Sequence, residues 1–109
     1  MKIKTIRLPQ KVNDQLLGLG NELGFSRSDL IKTAILKYLV TEKIKNFKPV
    51  KIGKGEYIRT GIILNPLMER ILNKKAEELN VSVNSLIIFA SQQIYEEYSL
   101  LIKELNLKD

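Results

Sequence analysis

Ile6-Arg7-Leu8-Pro9, an amphipathic stretch, and then Gly24-Phe25-Ser26-Arg27-Ser28-Asp29-Leu30-Ile31 decide the fold, because this run returns 56 positions later under the head Ile62-Ile63-Leu64-Asn65. Without a gap, Ile6, Leu8, Leu16, Glu22, Leu23, Ser26, Leu30, Ile31 and Ala34 pair with the identical Ile62, Leu64, Leu72, Glu78, Leu79, Ser82, Leu86, Ile87 and Ala90. Ungapped self-similarity at a fixed period marks a duplicated structural unit.

Each unit reads as a strand and two helices. Residues 2–8 alternate, with Ile6 and Leu8 on one face and Thr5 and Arg7 on the other, the pattern of a half-buried strand. Pro9 suits the first helical position, where no N–H is required. Val12, Leu16, Leu19 and Leu23 form one stripe of a first helix, and Gly24 is its expected left-handed stop. Ser26 with Asp29 resembles a capping box. It opens a second helix whose apolar face is Leu30, Ile31, Ala34, Ile35, Tyr38 and Leu39.

The second unit repeats the plan with a strand over residues 57–64, Pro66 early in a helix, Asn80 as the stop and Ser82 as the cap. Ser85 replaces the acidic capping partner, which predicts a slightly less well fixed helix start. Ile94, Tyr98, Leu101, Ile102 and Leu105 carry an apolar stripe almost to the C-terminus, and that stripe needs a partner.

One such unit is too small to close a core, and a lone strand cannot satisfy its own N–H and C=O groups. Antiparallel pairing of the two strands over four helices buries Ile6, Leu8, Ile62 and Leu64. The other face of the ribbon stays free. The expected class is therefore mainly α with a short β-ribbon. Residues 1–40 and 57–109 form the two copies, and residues 41–56 a basic linker. Fully extended, that linker reaches about 55 Å, so its length allows pairing within one chain or across two. The divergence of the two strands favours an intrachain pseudo-dimer. Val50-Lys51-Ile52 alternates before the Gly53-Lys54-Gly55 turn signal, which predicts an additional strand beside the second copy's strand.

Thr5-Ile6-Arg7-Leu8-Pro9 leading into a helix, and Gly24-Phe25-Ser26-Arg27-Ser28 leading into Leu30-Ile31, resemble the ribbon-helix-helix superfamily of DNA-binding regulators, the group of the Met, Arc and Cop-type repressors. The resemblance covers about two-thirds of the chain. A tandem arrangement in so small a Lys/Ile/Leu-rich chain is similar to regulators encoded by filamentous viruses of thermophilic archaea. The resemblance implies that the ribbon enters the major groove of double-stranded DNA. By position, base contacts then fall to Ile3, Thr5 and Arg7 in the first strand and to Arg59, Gly61 and Ile63 in the second. Arg7 suits guanine O6 and N7, and Thr5 suits either base type. Ile3, Gly61 and Ile63 depart from the polar pattern of the family, which implies an asymmetric operator. The resemblance also implies that the start of each second helix clamps a phosphate, through Ser26, Arg27 and Ser28 in one copy and Ser82, Val83 and Asn84 in the other. Taken singly, Ser26 and Ser82 read equally well as ordinary N-caps. Lys4, Lys51 and Lys54 add cations for the DNA backbone.

Charge points the same way. Residues 1–56 hold 12 Lys/Arg and 5 Asp/Glu, a net of +7, and residues 57–109 hold 6 and 7, a net of −1. Polyanions are drawn to the first half, with salt-sensitive affinity. Lys-rich surfaces also serve solubility and ion pairing in thermophilic proteins.

The chain has no histidine and no cysteine, and no glycine-rich phosphate loop. No metal site, cofactor, small-molecule ligand or enzymatic activity is therefore expected. The adjacent pairs Glu77-Glu78 and Glu96-Glu97 read as solvated helix surface. No run is apolar enough to span a bilayer, and Lys2 and Lys4 precede alternation rather than a signal-peptide core, which predicts the cytoplasm, that of the host in a viral setting. The expectation is a sequence-specific transcription regulator, with repression as the default, and with self-association along DNA through the C-terminal stripe. The alternatives are an antitoxin-like oligomerising module that captures a protein partner and a nonspecific DNA-coating protein.

Overall fold

The computed structural model describes residues 2–41 and 55–105. In chain order these form β1 (Lys2–Pro9), α1 (Gln10–Leu23), α2 (Arg27–Ala34) with a π-helical continuation (Ile35–Thr41), β2 (Tyr57–Leu64), α3 (Pro66–Leu79) and α4 (Val83–Glu104). The protein is mainly helical, with a two-stranded antiparallel ribbon resting on four helices. α1 and α3 start and stop at positions 56 apart, and so do the starts of α2 and α4.

β1 pairs with β2 in the register Ile3↔Ile63, Thr5↔Gly61, Arg7↔Arg59 and Pro9↔Tyr57. Thr5 thus lies opposite the residue 56 positions further on. The Gln10 N–H donates to the Glu56 carbonyl at 2.8 Å, extending the ladder by one rung. Alternation does what the sequence pattern predicts: Ile6, Leu8, Ile62 and Leu64 are buried, whereas Ile3, Thr5, Arg7, Arg59, Gly61 and Ile63 are exposed. The core continues below the ribbon through Leu16, Leu72, Leu30, Ile31, Leu86 and Ile87, all of them essentially inaccessible. Leu16, Leu30, Ile31 and Ala34 and their copies Leu72, Leu86, Ile87 and Ala90 therefore form the centre of one core, with Leu23 and Leu79 left at its rim.

The helix boundaries follow local chemistry. Gly24 (φ 77°) and Asn80 (φ 54°) adopt the left-handed conformation that ends α1 and α3. Ser26 Oγ accepts the Asp29 N–H and Ser82 Oγ accepts the Ser85 N–H, each at 3.0 Å. The Ser82 and Ser85 hydroxyls bond to each other at 2.7 Å where the first copy has an aspartate.

Four expectations change. Pro9 is not the first helical residue: its backbone is extended (φ −55°, ψ 140°) and it ends β1, with α1 starting at Gln10. Proline's fixed φ suits either state, and the rung between Gln10 and Glu56 holds it in the strand. Leu23 lies at the rim of its helix, 36% exposed, rather than in the core. The second helix of the first copy is α-helical only to Ala34 and then widens to π geometry, with Ile35, Tyr38 and Leu39 still buried. Of the C-terminal stripe, Ile94 is buried and Tyr98 and Ile102 are partly so, whereas Leu101 and Leu105 face solvent. The extra strand expected at residues 50–52 lies outside the described residues, as do Lys51 and Lys54.

Candidate nucleic-acid interface

The exposed face of the ribbon is short, and its side chains sit in facing pairs. Arg7 is opposite Arg59 at one end, Thr5 is opposite Gly61 in the middle, and Ile3 is opposite Ile63 at the other end. The Arg7 N–H and C=O are bonded away from β2, to Asn84, so the Arg7–Arg59 pair is of the non-hydrogen-bonded kind, in which side chains sit closest. Like charges directly opposite across strands destabilise a ribbon. Tyr57 lies diagonally beside them, its ring centroid 5.6 Å from the Arg7 guanidinium carbon. That contact steadies the guanidinium through the ring face and leaves its N–H donors unengaged among the described residues.

Gly61 has a packing role that its lack of a side chain conceals. A Cβ there would lie 2.8 Å from Ile3 Cγ2, so the Ile3 side chain leans across the ribbon into the space above Gly61. Thr5 is then the sole side chain projecting from the middle pair.

Each second helix is tied to the strand of the other copy. Asn84, in the first turn of α4, grips β1: its Oδ1 accepts the Arg7 N–H at 2.8 Å and its Nδ2 donates to the Arg7 carbonyl at 2.9 Å. Arg27, the first residue of α2, reaches β2: its Nη1 donates to Asn13 Oδ1 at 2.7 Å and its Nη2 donates to Thr60 Oγ1. The two helix N-termini therefore flank the ribbon, α4 at β1 and α2 at β2. Their first-turn N–H groups have no acceptor within the helix beyond the serine caps, which makes both ends receptive to an anion.

Of the residues expected at phosphates, Ser26 and Ser82 are exposed caps, Ser28 and Val83 are half-buried beside them, and Arg27 and Asn84 have protein partners. Lys4 falls on the core-side set of β1 and is half-buried. The bridging roles of Asn84 and Arg27 are missed by local pattern, since their partners lie 77 and 33 residues away. One signal for Arg27 was present: a cation at the start of a helix opposes the helix dipole, which suggests a specific partner. Asn65, another unforeseen contributor, caps α3 by accepting the Met68 N–H at 2.8 Å.

Elsewhere, a groove of about 880 Å³ opens between α1 and the C-terminal part of α4, lined among others by Gln10, Asp14, Leu19, Tyr95 and Ile102. Gln10 and Asp14, one turn apart on the α1 wall, bond to each other at 2.9 Å. Among the described residues, no helix is long and apolar enough to cross a membrane.

No family model matches the chain, and no match is found to curated proteins or to solved structures.

Proposed function

We propose that the chain is a ribbon-helix-helix pseudo-dimer that binds double-stranded DNA in a sequence-specific manner and regulates transcription, by repression where it occupies a promoter. One observation carries this proposal: two arginines face each other on the exposed side of a two-stranded ribbon whose edges are flanked by two helix N-termini. A fold that stacks two cations side by side loses stability unless an anion or an acceptor-rich surface meets them. The guanine edge in the major groove offers two acceptors to an arginine fork, and flanking phosphates suit the helix starts. Two strands about 4.8 Å apart, with their side chains, also fit a groove roughly 12 Å wide. Within the site, Arg7 and Arg59 read bases, Thr5 reads or touches the central step, the starts of α2 and α4 hold phosphates, and Arg27 and Asn84 position them.

The decisive experiment selects random duplexes against the purified protein and measures the winners at two salt concentrations, with Arg7→Ala and Arg59→Ala alongside. A defined motif should emerge. Each variant should lose about tenfold or more on that motif and far less on random duplex. Binding with no sequence preference, collapsing as salt rises, would leave a nonspecific coat; no duplex binding would leave a protein-interaction module.

Exposed leucines at the end of α4, Leu100, Leu101 and Leu105, support a second role in self-association along DNA. Leu101→Glu with Leu105→Glu should then abolish cooperative filling of long duplexes while sparing a single site. Unchanged cooperativity would remove this role.

A further inference from the structure

The register sorts the exposed face by chemistry from end to end rather than strand by strand. Read along the chain, β1 presents Ile3, Thr5 and Arg7, and β2 presents Arg59, Gly61 and Ile63. Antiparallel pairing brings like to like: a guanidinium pair at one end and an isoleucine pair at the other. The ladder places Ile3 and Ile63, like Arg7 and Arg59, in close non-hydrogen-bonded pairs, so each end acts as one patch. Ile3 is 71% and Ile63 45% exposed, an unusual solvation for two β-branched side chains side by side. Shifting each residue by 56 positions exchanges Ile3 with Arg59 and Arg7 with Ile63. The two ends that an internal twofold would make equivalent are thus chemically opposite.

Resting on the DNA-reading function above, we propose that the ribbon reads a non-palindromic site in one orientation only, with guanine under Arg7 and Arg59 and thymine methyl groups under Ile3 and Ile63. Thymine is the base that offers an apolar group in the major groove, and an isoleucine can bury it; an arginine cannot, and an isoleucine leaves guanine O6 and N7 without donors. Four residues of strand separate Arg7 from Ile3, about 13 Å. At about 3.4 Å per base step, the guanine and thymine determinants lie roughly three to four base pairs apart. Turning the DNA end for end sets arginine on methyl and isoleucine on guanine, so both ends lose together. The Ile3 side chain leaning over Gly61 widens the apolar patch toward the middle.

The test takes the best duplex from selection and substitutes it one base at a time, uracil for thymine to remove the methyl and 7-deazaguanine for guanine to remove N7. Uracil should weaken binding about fourfold at one end of the site only. The deaza base should weaken it about tenfold at the other end only. Ile3→Ser together with Ile63→Ser, changes on two exposed side chains, should abolish the uracil effect and leave the deaza effect in place. A palindromic motif, or binding indifferent to every uracil substitution, would overturn the polarity while leaving a sequence-specific DNA reader standing. Equal binding to all duplexes would overturn both.

Discussion

The Asn84 side-chain amide lies along the backbone of Arg7 and satisfies both its N–H and its C=O, at 2.8 and 2.9 Å. An amide side chain thus does for the edge of β1 what a third strand would do. It fixes the start of α4 against Arg7, one of the two facing arginines, and so couples the position of that helix end to the strand residue whose guanidinium stands on the exposed face. Asn84→Ala should cost about 1–2 kcal/mol in urea denaturation, the net value of two hydrogen bonds. Asn84→Asp keeps the acceptor and loses the donor, and should fall between the two. An alanine variant as stable as the parent would show that β1 does not depend on this clamp.

On the other strand the corresponding tie is Arg27. Its guanidinium joins Asn13 in α1 to Thr60 in β2, so one side chain links three elements. Its Nε is buried without a partner among the described residues. Arg27→Lys provides a single point donor where two divergent ones are needed, and should lose about 1–3 kcal/mol. A double-mutant cycle of Arg27→Ala with Thr60→Val checks the link: the two losses should be clearly less than additive. Additive losses would show that the contact carries no energy.

How much of this was legible in the sequence can be judged from these same residues. Alternation over residues 2–8, the left-handed stops at Gly24 and Asn80 and the serine caps are local, and local periodicity reports them. The ribbon register was also within reach, because pairing two copies about a common centre puts Thr5 over Gly61. The bridging of Asn84 and Arg27 was not, since a polar residue in the first turn of a helix reads as a cap or a phosphate ligand until the opposite strand is in place. Nor does an apolar stripe distinguish Ile94, which is buried, from Leu101, which is not, because burial depends on where the neighbouring helices end.

Two glycines within α1 should respond to alanine in opposite directions. A Cβ on Gly18 meets nothing within 4 Å, so Gly18→Ala should stabilise by up to about 1 kcal/mol through helix propensity. A Cβ on Gly20 would lie 2.4 Å from the Phe25 carbonyl oxygen, whose own N–H donates to the Gly20 carbonyl at 2.9 Å. Gly20→Ala should therefore destabilise by about 1–3 kcal/mol despite the same gain in propensity. The turn alone does not demand glycine, since Ala76 accepts the equivalent bond from Val81 at 3.0 Å; the close approach of Phe25 does. Matching thermal shifts for the two variants would refute this distinction.

Glu97 gives the fold a pH dependence whose sign follows from its partners. Lys37 and Tyr38, both on the π-helical segment, donate to its carboxylate and tie that segment to α4. The hydrogen bond from Lys37, then that from Tyr38, hold its pKa below the ordinary 4.5, outweighing a small opposing effect of burial. A carboxylate with a depressed folded-state pKa adds stability that is complete above its unfolded pKa and vanishes as pH falls through the folded value. The difference in stability between the parent and Glu97→Gln should accordingly be constant from about pH 7 to pH 5 and shrink toward zero below about pH 4. With the carboxylate side chain 46% exposed, solvent screening limits the plateau to less than about 1 kcal/mol. A difference that grew on acidification would mean that the carboxylate is destabilising, and would assign the joint between the π-helical segment and α4 to the packing of Ile35, Leu39 and Ile94 alone.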